Sequence, residues 1–252
     1  MRYYTLISYR NTMSFKSILY APLTLTVFAC SNSTSNHTIA TIPEASGISY
    51  CHNTQTLVVA NDEGIYYELT PEGKILTKQK LGKYDLEGVV CHDKHYLFAV
   101  ENGSLLKVDR STQNIQSYKI KGKKISFSKK SGIEGISFHK GHYYLSIQSK
   151  KKQSKMLVVS LGENYAKVID IIKHNSVDIA GLQFHDKKLY MVSDKKDKLY
   201  VYSLKQNKVL KKVKLSKFAQ EGITFDDKHY VYFADDDGSV KKYTTQELGF
   251  RL

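Results

Sequence analysis

Apolar and polar positions along the chain form a pattern that recurs five times. A glycine followed by an apolar-x-aromatic or similar triplet stands at Gly47 (Gly-Ile-Ser-Tyr), Gly88 (Gly-Val-Val-Cys), Gly135 (Gly-Ile-Ser-Phe), Gly181 (Gly-Leu-Gln-Phe) and Gly222 (Gly-Ile-Thr-Phe), at spacings of 41, 47, 46 and 41 residues. A polar turn follows, as in His92-Asp93-Lys94, His139-Lys140-Gly141, His185-Asp186-Lys187 and Asp226-Asp227-Lys228. A second strand then reads as alternating apolar and polar residues and ends on a polar or acidic pair: Leu57 to Asp62, Tyr96 to Asn102, Tyr143 to Ser149, Leu189 to Asp194 and Tyr230 to Asp236. A third run (Ile65-Tyr66-Tyr67 and Leu199-Tyr200-Val201-Tyr202 among them) and a fourth, such as Ile115 to Ile120 or Val209 to Leu215, complete most units.

Four short strands in about 40 to 45 residues are the signature of propeller blades. Helical repeats would need a period of 3.6 residues, which these segments lack. The pattern therefore predicts an all-β fold, a five-bladed β-propeller of four-stranded antiparallel blades. Only 30 residues follow Gly222, enough for three strands. The fourth strand of the last blade is expected from Thr38 to Ile42, which would join the two chain ends, close the ring and leave no open edge.

Composition agrees. Nineteen Tyr, ten Phe and only three Pro in 252 residues favour strands, and a repeat architecture of this length is read as one domain, 38–252. The formal charge of +14 stays strongly positive without Arg2, Arg10 and Lys16 of the acid-free leader. The lysines are scattered over strand and turn positions, as on solvated outer faces.

The leader, residues 1–29, has the charged start and short apolar body of a secretory signal, with Met13 as the expected true start. Its apolar run, Ser17 to Ala29, is too short to span a membrane. Val27-Phe28-Ala29-Cys30 resembles the lipobox of bacterial lipoproteins, which implies that Cys30 is lipidated, and the polar residues 30–37 read as a flexible tether. This places the protein in the cell envelope, on the periplasmic face of the outer membrane if the host is Gram-negative. Secretion argues against a nucleic-acid partner. Cys51 and Cys91, near the ends of equivalent strands, are read either as a disulfide or as two buried thiols. The chain has no CxxC or Cys/His spacing of a zinc site.

Candidate chemistry gathers where the first strand enters from the preceding blade. The residue before the repeat glycine is glutamate in three units: Glu87, Glu134 and Glu221. The second strand returns to that same face, bringing Asn61 and Asp62, Glu101 and Asn102, Gln148, Asp194, and Asp235 with Asp236. The metal-ligand candidates are thus Glu87, Glu134, Glu221, Asn61, Glu101, Asp194 and Asp235. Oxygen donors without thiolate or imidazole suit a hard cation, and an irregular ring of loops favours Ca²⁺ over Mg²⁺. The alternative is that these acids cap backbone N–H groups or pair with lysines. Ser46 and Ala180 interrupt the glutamate pattern, which excludes a symmetric five-fold site. His92, His139 and His185 follow the inner strand, fall on the opposite face and read as turn residues; His174 is the one histidine near enough to the acidic face to consider for catalysis. No nucleophile elbow or phosphate loop occurs.

Glu44-Ala45-Ser46-Gly47, Asp85-Leu86-Glu87-Gly88-Val89, Gly132-Ile133-Glu134-Gly135-Ile136 and Asp178-Ile179-Ala180-Gly181-Leu182 resemble the SdiA-regulated, or YjiK-like, family of bacterial envelope proteins, over about Ile42 to Tyr243. The resemblance implies a five-bladed propeller distantly related to NHL repeats, a calcium site and no established reaction. It carries metal-site candidacy to Glu87, Glu134 and Glu221, and more weakly to the acids at the strand ends. The expected function is a monomeric, membrane-tethered, calcium-binding propeller that serves as a binding module for an envelope partner or small molecule. A calcium-dependent lactonase, esterase or phytase-like hydrolase is the alternative.

Overall fold

The computed structural model describes Met1 and residues 37–122, 125–128, 131–149 and 153–250. The leader, Cys30 and the tether lie outside these residues apart from Met1 and His37. From Asn36 onward the chain forms one compact unit.

Strand β1 (Thr38–Thr41) precedes the first repeat, which contributes β2 (Ala45–Cys51), β3 (Thr56–Asn61), β4 (Ile65–Leu69) and β5 (Ile75–Lys80). The second contributes β6 (Leu86–Cys91), β7 (His95–Val100), β8 (Ser104–Asp109) and β9 (Ile115–Lys121); the third β10 (Ile133–His139), β11 (His142–Ile147), β12 (Gln153–Leu161) and β13 (Tyr165–Val177). The fourth holds β14 (Leu182–His185), β15 (Lys188–Ser193), β16 (Lys198–Ser203) and β17 (Lys208–Lys214), and the fifth β18 (Gln220–Phe225), β19 (Tyr230–Asp235) and β20 (Ser239–Thr244). A 3₁₀ turn, Asp194–Lys196, follows β15, and no α-helix occurs among the described residues. None of the described residues forms a helix long and apolar enough to cross a membrane.

Within each repeat consecutive strands pair antiparallel. The first and fourth repeats make separate four-stranded sheets, and the last sheet has the order β1-β20-β19-β18, with Thr38–Thr41 hydrogen-bonded along β20. His37 extends this seam: its ring stacks on Tyr243 with centroids 3.9 Å apart, and its carbonyl accepts the Lys242 N–H. The second and third repeats depart from separate units. Strand β13, thirteen residues long, runs parallel to β9 over Tyr165–Lys167 and joins the two into one eight-stranded sheet.

The second strands correct the reading of their pattern. Rather than alternating, β3 is buried along its whole length and β7, β15 and β19 at all but their first residue. Each middle strand is covered on both faces by neighbouring sheets, and such strands carry continuous apolar runs. The outermost strands β5, β9 and β17 are instead largely exposed, β5 entirely so.

Five hydrophobic clusters account for the core, and each is shared by two repeats. Val58, Tyr66, Val89 and Phe98 join the first to the second; Leu97, Tyr118, Ile136 and Leu157 the second to the third; Met156, Ile179, Met191 and Tyr202 the third to the fourth. Tyr190, Leu199, Phe225 and Phe233 join the fourth to the fifth, and Tyr232, Val240, Ile48 and Val59 the fifth back to the first. The repeat glycines meet at the centre in the same circuit. A Cβ on Gly222 would lie 2.9 Å from the Ile48 nitrogen, one on Gly181 2.8 Å from the Gly222 Cα, and one on Gly47 would overlap Gly88. Only hydrogen fits where the backbones come this close.

Candidate metal centre

In four repeats the residue before the glycine is passed over by the strand register: the β2, β6, β10 and β18 ladders shift between Ala45 and Gly47, Leu86 and Gly88, Ile133 and Gly135, and Gln220 and Gly222. A bulge re-aims the side chain it releases, and the released residues are Ser46, Glu87, Glu134 and Glu221. The end of the second strand is tied beside them by a repeated bond. The N–H of Asp62 donates to the Glu44 carbonyl, that of Glu101 to Asp85, Gln148 to Gly132 and Asp236 to Ala219, at 2.9–3.3 Å.

The result is a crowd of carboxylates. Asp62, Asp85 and Glu87 each place an oxygen within 4.8 Å of the other two. Burial pushes Glu87 up to about 11, reinforced by the charges of Glu134, Asp62, Asp85 and Glu221. Glu221 is raised well above the carboxylate range, again mainly by burial and then by Glu134, Asp194, Asp236 and Asp178. Burial lifts Asp62 to about 7 despite the hydroxyl of Ser46, which donates to its Oδ1. Asp194 and Asp236 are also raised, by burial and then by neighbouring aspartates. Crowded acids of this kind favour protonation or a bound cation.

A cavity of about 320 Å³ adjoins the cluster, lined by Glu134, Gln148, Asp178, Asp194, Lys195 and Glu221 together with Ile179 and Ala180. It lies where the fourth repeat has Ala180 in the glutamate position. Below it the passage is shut: the space enclosed by the five repeat glycines with Glu87 and Glu221 is only about 10 Å³, at the lower limit for one water.

Of the residues singled out in the sequence, Glu87, Glu134, Glu221 and Asp194 come together on this face. Glu101 shares the face but lies across Gly132, where an added Cβ would overlap its Cγ. Asn61 and Asp235 serve their own turns. Asn61 accepts the Ile65 N–H at 2.9 Å and donates to the Pro43 carbonyl at 3.2 Å. Asp235 accepts the N–H groups of Ala219 and Asp237, the Ser239 hydroxyl and the Lys241 ammonium. The second member of each pair, Asp62 or Asp236, is the one that faces its fellow acids. Asp85 and Asp178, two residues before the glutamate position, are not among the ligands expected from the sequence; the signal that marks them is their common spacing of three residues from the repeat glycines Gly88 and Gly181.

His174 is buried at 2 % exposure, and burial pushes it down to about 4. Its ring meets the edge of Tyr202 with centroids 6.4 Å apart, and it does not line the acidic cavity. His92, His139 and His185 belong to contacts at the other end of the inner strands. His139 stacks on Phe184 and His185 on Phe225, while His92 meets Phe138 edge-on.

The donor set fits a hard cation. Two oxygens bound to one calcium at about 2.4 Å can be at most about 4.8 Å apart, which matches the Asp62–Asp85–Glu87 spacing.

The SdiA-regulated family model matches residues 28–236, most of the chain. The chain belongs to the SdiA-regulated family. No curated protein matches it. Among solved structures it is similar to glutaminyl cyclase from Myxococcus xanthus, with a TM-score of 0.65 at 10 % identity over 82 % of this chain and 92 % of that one. It also matches the Cps50 (Swd1) β-propeller domain from Myceliophteria thermophila, with a TM-score of 0.49 at 8 % identity over 80 % and 67 % of the two chains. At 10 % identity the likeness to the cyclase is one of fold alone, and the separate four-stranded sheets with their circuit of shared clusters make this family member all-β and propeller-like.

Proposed function

We propose that this protein is a calcium-loaded, membrane-tethered propeller that acts as a binding module in the cell envelope. The observation that carries the reading is the Asp62–Asp85–Glu87 cluster, three carboxylates in mutual ligand range with Glu134 and Glu221 close enough to raise Glu87 further. Asp62, Asp85 and Glu87 would hold the ion, with Glu134 and Glu221 as neighbouring charges. A bound Ca²⁺ would neutralise them and offer open coordination positions to an oxygen-bearing ligand.

The fold is proposed as five blades closed by β1. Five shared clusters and the circuit of glycine contacts support that count, with the eight-stranded sheet read as two blades whose outer strands touch. The Cys51–Cys91 disulfide favours an oxidising compartment, which suits lipidation at Cys30 and residence in the envelope.

The cavity beside the cluster favours a second reading, a calcium-dependent hydrolase in which the metal polarises a carbonyl or phosphoryl oxygen of a small substrate. The solved glutaminyl cyclase shares only the fold, so its reaction is not carried over. Titration calorimetry with Ca²⁺ on the wild type and Glu87→Gln tests the main reading. Binding heat lost in the variant is the expected result, and no heat in the wild type removes the metal. Turnover of esters, lactones or phytate that depends on Ca²⁺ would favour the second reading.

A further inference from the structure

The exposed apolar side chains of this fold are concentrated on its outermost strands: Ile75 and Leu76 on β5, Ile115 on β9, Tyr165, Ile169 and Ile171 on β13, and Leu210 on β17. Lysines accompany them on every one of these strands. The two kinds of residue are brought together most closely where β9 and β13 run side by side. Their parallel register sets Tyr165 beside Lys119 and Lys167 beside Lys121. Beyond that contact lies a groove of about 680 Å³, lined by Lys121, Ile125, Tyr165, Lys167, Ile169 and Ile171.

Lys121 and Lys167 carry like charges at partnered positions of one ladder, an arrangement that costs stability. Among the described residues neither has a carboxylate in ion-pair range. The Lys121 ammonium rests 4.8 Å from the Tyr165 ring centroid. The acid of the groove, Asp170, accepts the neighbouring N–H of Ile171 at 2.8 Å. An anion bridging the two lysines would relieve their repulsion. The exposed isoleucines beside them, 46 % and 41 % accessible, suit the apolar part of the same partner.

We propose that this seam docks the protein against an anionic phospholipid surface, with Lys121 and Lys167 on headgroup phosphates and Tyr165, Ile169 and Ile171 at the interface. Charge complementarity selects that occupant. Lys119, opposite Tyr165, and Lys173, further along β13, are exposed as well, the whole chain carries a net charge of +14, and lysine, tyrosine and aliphatic side chains together are the mixture that settles at a lipid headgroup layer. The inference does not depend on the acidic face.

Co-sedimentation of the full chain carrying Cys30→Ser, which prevents lipid attachment, with phosphatidylglycerol-containing and pure phosphatidylcholine vesicles tests it. Stronger binding to the anionic vesicles is expected. Lys121→Glu/Lys167→Glu should weaken it by roughly thirtyfold or more, from about 1 kcal/mol per lysine near an anionic surface. Ile169→Ser/Ile171→Ser should reduce the binding that persists in high salt, when charge attraction is screened. Lys78→Glu/Lys80→Glu on β5 makes the same change in net charge and should have a much smaller effect. Equal loss in the β5 variant, or unchanged binding in the β9–β13 variant, overturns the proposal. So does capture by polyglutamate without any preference for anionic vesicles, which would assign the seam to an acidic protein partner. Unchanged melting temperatures confirm that the variants fold.

Discussion

Cys51 and Cys91 are bonded across the first two repeats at the same pair of positions that His139 and Phe184 occupy between the third and fourth, where the rings stack with centroids 4.3 Å apart. The residue four after one glycine meets the residue three after the next at each of these junctions, and His92–Phe138 and His185–Phe225 obey the same rule. Ser49, Ser137 and Thr224 add a hydroxyl that accepts the N–H of Cys91, Phe184 and Tyr50 at 3.0–3.2 Å. The disulfide is therefore a covalent substitute for one stack in a ring of contacts.

Its loss should be costly, because it closes a loop of 40 residues. Loop entropy of that length is about 4 kcal/mol, or a fall of roughly 10 °C in melting temperature for a domain of this size. Melting curves of Cys51→Ser/Cys91→Ser against the oxidised protein measure it. A change of a degree or two would mean that the junction packs equally well unlinked.

The histidines opposite the acidic face make stability fall in acid. Burial lowers His92 to about 4 and also lowers His139 and His185. A base with a depressed folded pKa favours its neutral form, so stability is lost as pH drops below the unfolded value of about 6.5. Protonating His92 also places a charge beside the Tyr143 hydroxyl, which lies 2.9 Å from its Nε2. With calcium present, the melting temperature should decline between about pH 6.5 and 4, and His139→Phe/His185→Phe should flatten that decline. Parallel curves for wild type and variant would contradict this.

The acidic face acts in the other direction. Asp62, Glu87 and Glu221 have raised folded pKa values, so their contribution is present in acid and lost as pH rises through those values. Without a divalent cation the protein should be less stable at about pH 8 than at about pH 6. Calcium should restore the difference, with its stabilising effect growing as pH rises. A calcium effect that is independent of pH would separate the ion from these carboxylates.

Ligand and turn roles separate in two substitutions. Glu87→Gln replaces a carboxyl that folding must hold protonated and should raise the melting temperature of the calcium-free protein while weakening calcium binding at least about tenfold, about 1.4 kcal/mol. Asp235→Ala breaks the bonds to Ala219, Asp237, Ser239 and Lys241 and should cost about 3 kcal/mol with calcium affinity little changed. Calorimetry paired with urea unfolding reads both. The reverse outcome would make Asp235 the ligand.

At the centre, Gly47→Ala would put a methyl into Gly88. A loss of about 3 kcal/mol is expected, at the upper end of overpacking, because the added methyl meets backbone and not a flexible side chain. Urea denaturation checks it, and near-neutral stability would show that the inner strands move apart at little cost.

The all-β architecture was legible in the sequence because the glycine-apolar-x-aromatic unit marks the most constrained place in each repeat, where chains converge and side chains are excluded. The glutamates before Gly88, Gly135 and Gly222 stood out for the same reason. Asp85 and Asp178 stand apart from the residue that adjoins the glycine and carry no mark of their own, and the strand-end residues Asn61 and Asp235 look the same in sequence whether they cap a turn or face a cavity. The hydrogen-bond partners separate the two roles. The merger of β9 with β13 left no mark, since nothing in Tyr165-Ala166-Lys167 names a partner strand in another repeat.

The narrow floor of glycine backbone beneath the acidic cavity sets how traffic moves. With about 10 Å³ at the centre, nothing larger than a water passes from among Glu134, Asp194 and Glu221 through the ring of glycines. If the cavity takes an ion or small molecule as proposed, a large partner resting on the rim of such a cup would hold it in place until the partner itself departs.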